Sequence, residues 1–359
     1  MTPRRSSVGG PFVLVGWGYR SAAWLEAARG IGVDCAGVVV RTPRETPVPT
    51  FDSLADALDA TGARFVVASV SPDSAPGVIR AAVARGVPIL SETPPAGDAD
   101  ALRSLWEDVG ASGRVQVAEQ YPRYPSHAAR LALVASGVIG TPTQSQVSST
   151  QLHHAVALMR AYLGVAPGPV RILATTTRAP LLQPLSRAGW TGAGAPDLAT
   201  TTHAVLDFGS GRSGVYDFTD AQTRNLLRFR RLVVRGTHGE LDGDRVVAWG
   251  GPETVLTSGI ERRQSGHDLD MSGYDSETLS HGGVVLWRNP WPGRHWSDDQ
   301  LATASLLAAM AAWVEGDGLE PYPLREACQD AAVGLAIERS VATGGPVELD
   351  AEPWWDGLA

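Results

Sequence analysis

Over the first third of the chain, short unbroken apolar runs alternate with stretches whose apolar residues recur at helical spacing. Phe12-Val13-Leu14-Val15 stops at Gly16, and Cys35 to Val40, Phe65 to Val70, Val87 to Leu90 and Val115 to Ala118 repeat the pattern. Runs of this length bounded by turn residues read as strands buried on both faces. Between them, Ala22 to Ala28, Asp52 to Ala60, Pro76 to Arg85 and Asp98 to Asp108 read as helices, with Ser53 or Asp52 placed to cap the second. Strand–helix alternation predicts a doubly wound parallel sheet with helices on both faces.

The rhythm changes near Tyr121-Pro122-Arg123-Tyr124-Pro125. Ser126 to Ser136 and His154 to Leu163 read as helices, with an alternating strand from Gln144 to Thr150 between them. From Val170 to about Trp249 the pattern predicts successive strands, with turns at Gly209-Ser210-Gly211, Gly236 and Asp242-Gly243-Asp244. Residues 250–299 show little periodicity and are expected to be long loops. Helices over 299–315 and 325–343 close the chain. No internal repeat is present. Grouped strands predict an α+β second half, and 359 residues suffice for two domains, cut here as 1–121 and 122–359.

Composition narrows the chemistry. A net charge of −8 argues against nucleic acid or an anionic membrane as the main partner. No apolar run reaches membrane-span length, no cleavable leader is evident, and residues 1–10 read as a loose polar lead-in, so a cytoplasmic location is expected. Cys35 and Cys328 are too few for a disulfide framework. All 30 basic residues are Arg, which excludes chemistry that needs a lysine amine. His203, His238, His267, His281 and His295 have no partner at metal-ligand spacing and read as structural or surface groups, so no metal is expected.

The strongest local signal is Gly16-Trp17-Gly18-Tyr19-Arg20-Ser21, a G-x-G-x-x-S turn after a buried strand and before a helix. Glycines there permit a tight turn and close approach of a pyrophosphate to free helix N–H groups; the same pattern also serves as a purely structural turn. No acid stands at the tip of the second strand to bind ribose hydroxyls. Arg41, Thr42 and Arg44 occupy it instead, suited to a 2′-phosphate or read alternatively as a solvated basic loop. This favours NADP, with NAD possible. Ser69, Val70 and Ser71 at the third strand's tip complete the expected cofactor-binding set from this half.

Five motifs in order resemble the Gfo/Idh/MocA oxidoreductases, relatives of glucose-fructose oxidoreductase and inositol dehydrogenase. They are Glu92-Thr93-Pro94, Ala118-Glu119-Gln120-Tyr121, the helix from His154 through Leu158 and Arg160 to Leu163-Gly164, Arg235-Gly236-Thr237-His238-Gly239-Glu240-Leu241, and Asp330 to Val347. The resemblance implies an N-terminal Rossmann domain that binds a dinucleotide, with Glu92 and Gln120 at the cofactor. A C-terminal α+β domain with a large, mostly antiparallel sheet would serve substrate and oligomerisation. It further implies a homo-oligomer (dimer or tetramer) and a Lys-Asp-His group, of which this chain has Thr93 and Thr150 at the first two positions and keeps only His154.

Hydride transfer at a carbinol carbon also moves a proton, which an imidazole carries well near neutral pH. His154 is the candidate acid–base group, with Thr93 and Tyr121 as substrate-positioning groups and His153 a further candidate. The expected activity is NAD(P)-dependent oxidation or reduction of a small polar substrate, a sugar or cyclitol, contacted from 185–197 and 250–299, where Trp190, Trp287, Trp291 and Trp296 lie. The missing Lys leaves open a nicotinamide-holding lyase or glycosidase, an imine reductase, or a non-catalytic cofactor-binding protein.

Overall fold

The computed structural model describes residues 10–266 and 273–355. The polar lead-in before Gly10 and His267 lie outside the described residues. The chain forms two compact units: residues 1–127, 263–278 and 288–328, and residues 128–262, 279–287 and 329–359. The first therefore takes back two segments from beyond the single cut expected at 121/122.

Its elements are β1 (Phe12–Val15), α1 (Tyr19–Ile31), β2 (Cys35–Val39), β3 (Thr50–Phe51), α2 (Leu54–Thr61), β4 (Phe65–Ala68), α3 (Ala75–Ala84), β5 (Ile89–Ser91), α4 (Ala99–Val109) and β6 (Val115–Val117). The six strands order β3-β2-β1-β4-β5-β6, with every pairing parallel. Phe12, Val13 and Leu14 are fully buried, and the Phe12 and Phe65 rings stack 5.4 Å apart on neighbouring strands. Ser53 caps α2 and Asp98 caps α4 by accepting the backbone N–H of Asp56 and Ala101. Because β1 is flanked by β2 on one side and β4 on the other, the winding reverses at its carboxyl end, where doubly wound sheets open a crevice.

The returning segments are bound by specific contacts. Helix α7 (Asp298–Val314), closed by a Ser297–Gln300 capping box, packs on α1. Gly30 makes room for the indole of Trp296, which a Cβ would meet at 2.0 Å. Buried Gln116 on β6 accepts the N–H of Tyr322 at 2.9 Å and donates to Glu320 at 3.3 Å. No period in the sequence reports such pairings.

α5 (Pro125–Ala135) spans the division at residue 127. Beyond it come β7 (Pro142–Ser148), α6 (Leu152–Leu163), β8 (Val170–Leu181), a small hairpin of β9 (Leu185–Ser186) and β10 (Gly189–Trp190), β11 (Asp197–Asp207), β12 (Ser213–Thr219), β13 (Arg231–Gly236), β14 (Gly239–Asp242), β15 (Arg245–Gly251) and β16 (Thr254–Ser265). β17 (Asp275–His281), β18 (Val284–Arg288), α8 (Leu324–Thr343) and β19 (Val347–Leu349) follow. The eleven-stranded sheet orders β18-β17-β16-β15-β14-β13-β7-β12-β11-β8-β19; its β7–β12 pair is parallel, and the pairs from β13 to β16 and from β12 to β19 are antiparallel.

The long loops expected over 250–299 are corrected by β16, β17 and β18. These strands form one edge of the sheet, and most of β16 and β18 is solvent-exposed or half-exposed, so no apolar alternation marks them.

Helix α6 lies against β7, and Gly214 on β12 admits the Met159 sulfur, which a Cβ would meet at 2.8 Å. Arg160 donates to Asp330 of α8 at 2.6 Å, with both side chains under 5% exposed. Removing one partner strands a charge in the interior. Asp330→Ala is therefore expected to lower unfolding free energy by about 3–5 kcal/mol in urea titration. A loss below about 1 kcal/mol, the range of an exposed pair, contradicts this.

Candidate functional site

The first βα turn forms as its glycines predict. Gly16 has φ +95°, and a Cβ there would stand 2.3 Å from the Ser69 carbonyl oxygen, so neither the turn nor the space tolerates a side chain. Its N–H donates to Val39 O at 2.9 Å. Gly18 takes the cap position of α1 without a capping side chain, and the first turn holds no acid, which leaves the helix N-terminus open to an anion. Ser21, at the third small position, is buried; its hydroxyl donates to Gly16 O at 3.3 Å and lies 3.4 Å from the Ser69 hydroxyl, tying helix to sheet.

In front of this turn opens a cleft of about 690 Å³. Gly16, Gly18, Arg41, Thr42, Arg44, Ser69, Val70 and Ser71, all expected at a cofactor, line it. Arg41 and Arg44 have no carboxylate partner among the described residues; Arg44 Nε donates only to Thr42 O, at 3.4 Å. Val15, Trp17, Val39, Val40, Ser74 and Val78 complete the lining and are not among the residues expected from sequence. Ser74 stands at the start of α3 just before Pro76, so helix-start chemistry is the signal that finds it.

The other expected cofactor residues lie outside the lining. Tyr19 is largely exposed, and Gln120 is half-buried. Arg20 turns inward: Nε faces Glu92 at 3.4 Å, Nη1 donates to Asp299 at 2.9 Å, and Nη2 donates to Thr303 at 2.9 Å. Burial pulls its pKa down, but the carboxylates of Glu92 and Asp299 outweigh that and raise it. Glu92 also accepts the Trp24 indole N–H at 2.7 Å. Asp299 accepts the Tyr124 hydroxyl at 2.6 Å; burial, then the Asp299 charge, pushes that phenol well above its ordinary range. Asp299 lies 279 residues from Arg20, beyond any local signal.

Thr93 is half-buried and precedes Pro94 through a cis peptide. Tyr121 opens a short 3₁₀ turn; its N–H donates to Glu119 at 3.0 Å, and its ring lies 5.1 Å from that of Tyr124.

In the second unit, His153 and His154 occupy the first turn of α6, with ring centroids 4.2 Å apart. A 100° step between neighbours leads one to expect divergence. Leu152, the first helical residue, has φ +36°, in the left-handed region a leucine seldom enters. Its N–H donates to the buried Tyr216 hydroxyl at 3.1 Å, in place of a capping side chain from Gln151. Burial first, and the neighbouring His154 second, hold the His153 pKa well below 6.5; its Nε2 is buried without a partner. Ser145, Ser148, Ser149 and Thr150 also bury unpartnered hydroxyls on the approach to this turn.

Of the histidines read as structural or surface groups, His203 bonds with Thr177, His238 with Thr237, His281 with Ser258, and His295 with Tyr274 O. Among the described residues, no group of three or more His, Cys, Asp or Glu can hold a metal ion, and no helix is long and apolar enough to cross a membrane.

A histidine kept neutral in the native state opposes protonation, so stability is full above the unfolded pKa and falls as pH drops below about 6.5. His153→Asn is expected to flatten the slope of stability against pH between about pH 6.5 and pH 5, read by urea denaturation at each pH. An unchanged slope contradicts the burial of a neutral imidazole.

No family model matches the chain, and no curated protein is similar to it. Solved structures are. An oxidoreductase from Agrobacterium radiobacter, in complex with NAD+, L-tartaric acid and magnesium, shares 16% identity at a TM-score of 0.68, covering 94% of this chain and 98% of its own. A myo-inositol dehydrogenase from Corynebacterium glutamicum shares 16% identity at 0.62, covering 96% and 99%. The WlbA dehydrogenase from Bordetella pertussis, in complex with NADH and UDP-GlcNAcA, shares 16% identity at 0.63, covering 96% and 99%. The chain thus has the fold of these oxidoreductases: a parallel Rossmann-type sheet joined to a large, mostly antiparallel one.

Proposed function

We propose that this protein is a nicotinamide-dependent oxidoreductase acting on a hydroxyl or carbonyl carbon of a small polar substrate, a sugar or cyclitol, with NADP preferred to NAD. The observation that carries the reading is the cleft at the carboxyl end of β1, β2 and β4. It combines an uncapped helix N-terminus behind Gly16 and Gly18 with two guanidiniums that lack carboxylate partners among the described residues. These groups fit the phosphates of a dinucleotide: helix N–H groups suit the pyrophosphate, and Arg41, Thr42 and Arg44 suit a further phosphate on the ribose. When bound, the nicotinamide supplies the hydride acceptor or donor.

The fold shared with NAD- and NADH-bound oxidoreductases supports the coarse reading. The fit to NADP rests on this chain's own side chains. Arg20 and Glu92 act as structural support for α1 in this reading, since each is bound to the other and to Asp299 or Trp24. His154 takes or returns the substrate proton. His153, held neutral by burial, is the poorer proton acceptor and supports the ring beside it. Thr93 and Tyr121 offer hydroxyls to substrate oxygens. The resemblance to Gfo/Idh/MocA enzymes adds a homo-oligomer to the proposal.

Two experiments test it. Arg41→Ala with Arg44→Ala is expected to weaken NADPH binding about 10–100-fold and NADH binding less than about threefold, by fluorescence titration. Equal losses for both coenzymes contradict the phosphate assignment, and no binding by the wild type removes the reading itself. In a dehydrogenase screen of polyols, aldoses and inositols, His154→Ala is expected to lower kcat by about 10²–10⁴-fold while leaving NADPH affinity within about twofold. Retained turnover excludes His154 as the proton carrier.

A further inference from the structure

Helix α6 begins where two strand ends meet. β7 and β12 run parallel with Tyr216 opposite Val147, so their carboxyl ends lie side by side. From there α6 runs back along the sheet, and its Met159 sulfur packs at Gly214. Its first turn carries the histidine pair on a demanding backbone. At φ +36°, Leu152 holds a conformation that glycine adopts freely and a side chain opposes. Gln151 supplies no side-chain cap, and the turn closes tightly, with the His154 N–H donating to Gln151 O at 3.1 Å. The Thr150 hydroxyl, four residues before His154, is buried without a partner among the described residues, so it orients neither ring.

Two groups distant in sequence hold this turn. The Tyr216 hydroxyl accepts the Leu152 N–H at 3.1 Å. That hydroxyl is itself fixed: the side chain is 2% exposed, and its ring stacks on Phe218 with centroids 6.1 Å apart and planes 12° apart. Burial above all pushes the phenol up to about 12, so it meets the amide as a neutral hydroxyl. On α8, Gly334 leaves space for the turn: a Cβ there would stand 3.2 Å from the His153 N and 3.5 Å from the Leu152 Cβ. A change of φ at Leu152 re-aims the side chains of the turn that follows it. A left-handed leucine persists only while its surroundings over-determine it, and here the Tyr216 hydroxyl is the bond that does so.

We propose that Tyr216 is a positioning residue: its hydroxyl latches Leu152 in the left-handed conformation and thereby fixes where the His154 imidazole meets the substrate, with His153 packed against it at 4.2 Å. The proposal rests on the reading of His154 as the proton carrier. A proton passes only across a hydrogen-bond distance, and a displacement of about 1 Å costs up to about 10²-fold in rate. The latch also accounts for the burial of His153 with its Nε2 unpartnered, a placement that no bond of that nitrogen offsets. The same turn that presents one ring presses the other inward.

Chemical modification of the full chain tests the latch without nucleotide or substrate. Tyr216→Phe keeps the ring and loses the acceptor. In that variant, carbethoxylation of His153, read by tandem mass spectrometry, is expected to run at least about tenfold faster than in the wild type. Adding Leu152→Gly, which holds φ +36° without a Cβ, should bring the rate back within about threefold of the wild type. An unchanged rate in Tyr216→Phe, or a faster rate that the glycine does not restore, overturns the proposal, since plain loss of stability is not rescued by a more flexible residue. In the dehydrogenase screen, Tyr216→Phe is expected to lower kcat about 10–100-fold with KM and NADPH affinity within about threefold, and the double variant to recover most of that loss. Full kcat in Tyr216→Phe overturns the proposal as well. A wild type that turns over no compound removes the proposed function, while the modification rates still decide the latch.

Discussion

Everything distinctive about the first unit turns on the close approach of Gly16 to the Ser69 carbonyl. The chain leaves β1 at φ +95°, passes against β4 with no room for a Cβ, and enters α1 with its N-terminal amides uncapped. A bulkier residue would push α1 away from the sheet and close the cleft that the reversal at β1 opens. The buried hydroxyl of Ser21 and the Arg20–Glu92–Asp299 network hold the helix in that position from behind. Turn geometry and the inward charges thus serve the same end, a fixed set of amide N–H groups facing an open crevice.

Arginine has two separate duties in a chain that has no lysine. Arg20 and Arg160 face inward to carboxylates and tie helices together. Arg41 and Arg44 line the cleft, with no acidic partner among the described residues. Guanidinium suits each duty because it keeps its charge when buried and offers several donors in one plane.

Periodicity and turn chemistry located most strands and helices of the first unit, because both faces of a parallel sheet are buried and its strands read as plain apolar runs. Gly16, Gly18 and the acid-free tip at Arg41 to Arg44 were legible for the same reason: each depends on a local backbone or charge requirement. The bonds of Arg20 to Glu92 and Asp299 were not legible, because sequence cannot show Asp299 arriving from a distant helix. The edge strands β16 to β18 were invisible, since β16 and β18 are largely exposed and show no apolar alternation, and two of the buried positions of β17, Asp275 and Ser276, are polar. Tyr216 was missed at the start of α6 because nothing local announces that a tyrosine on β12 will bond the Leu152 amide.

The central claim is that the amides and guanidiniums around β1 and β2 bind a phosphorylated dinucleotide. Isothermal titration of NADP+ into the wild-type chain and into Gly16→Val tests it most directly. The account predicts one site per chain in the wild type, weaker with added salt, and no measurable site in a folded Gly16→Val. Absence of heat in the wild type, or equal affinity in the variant, would contradict it.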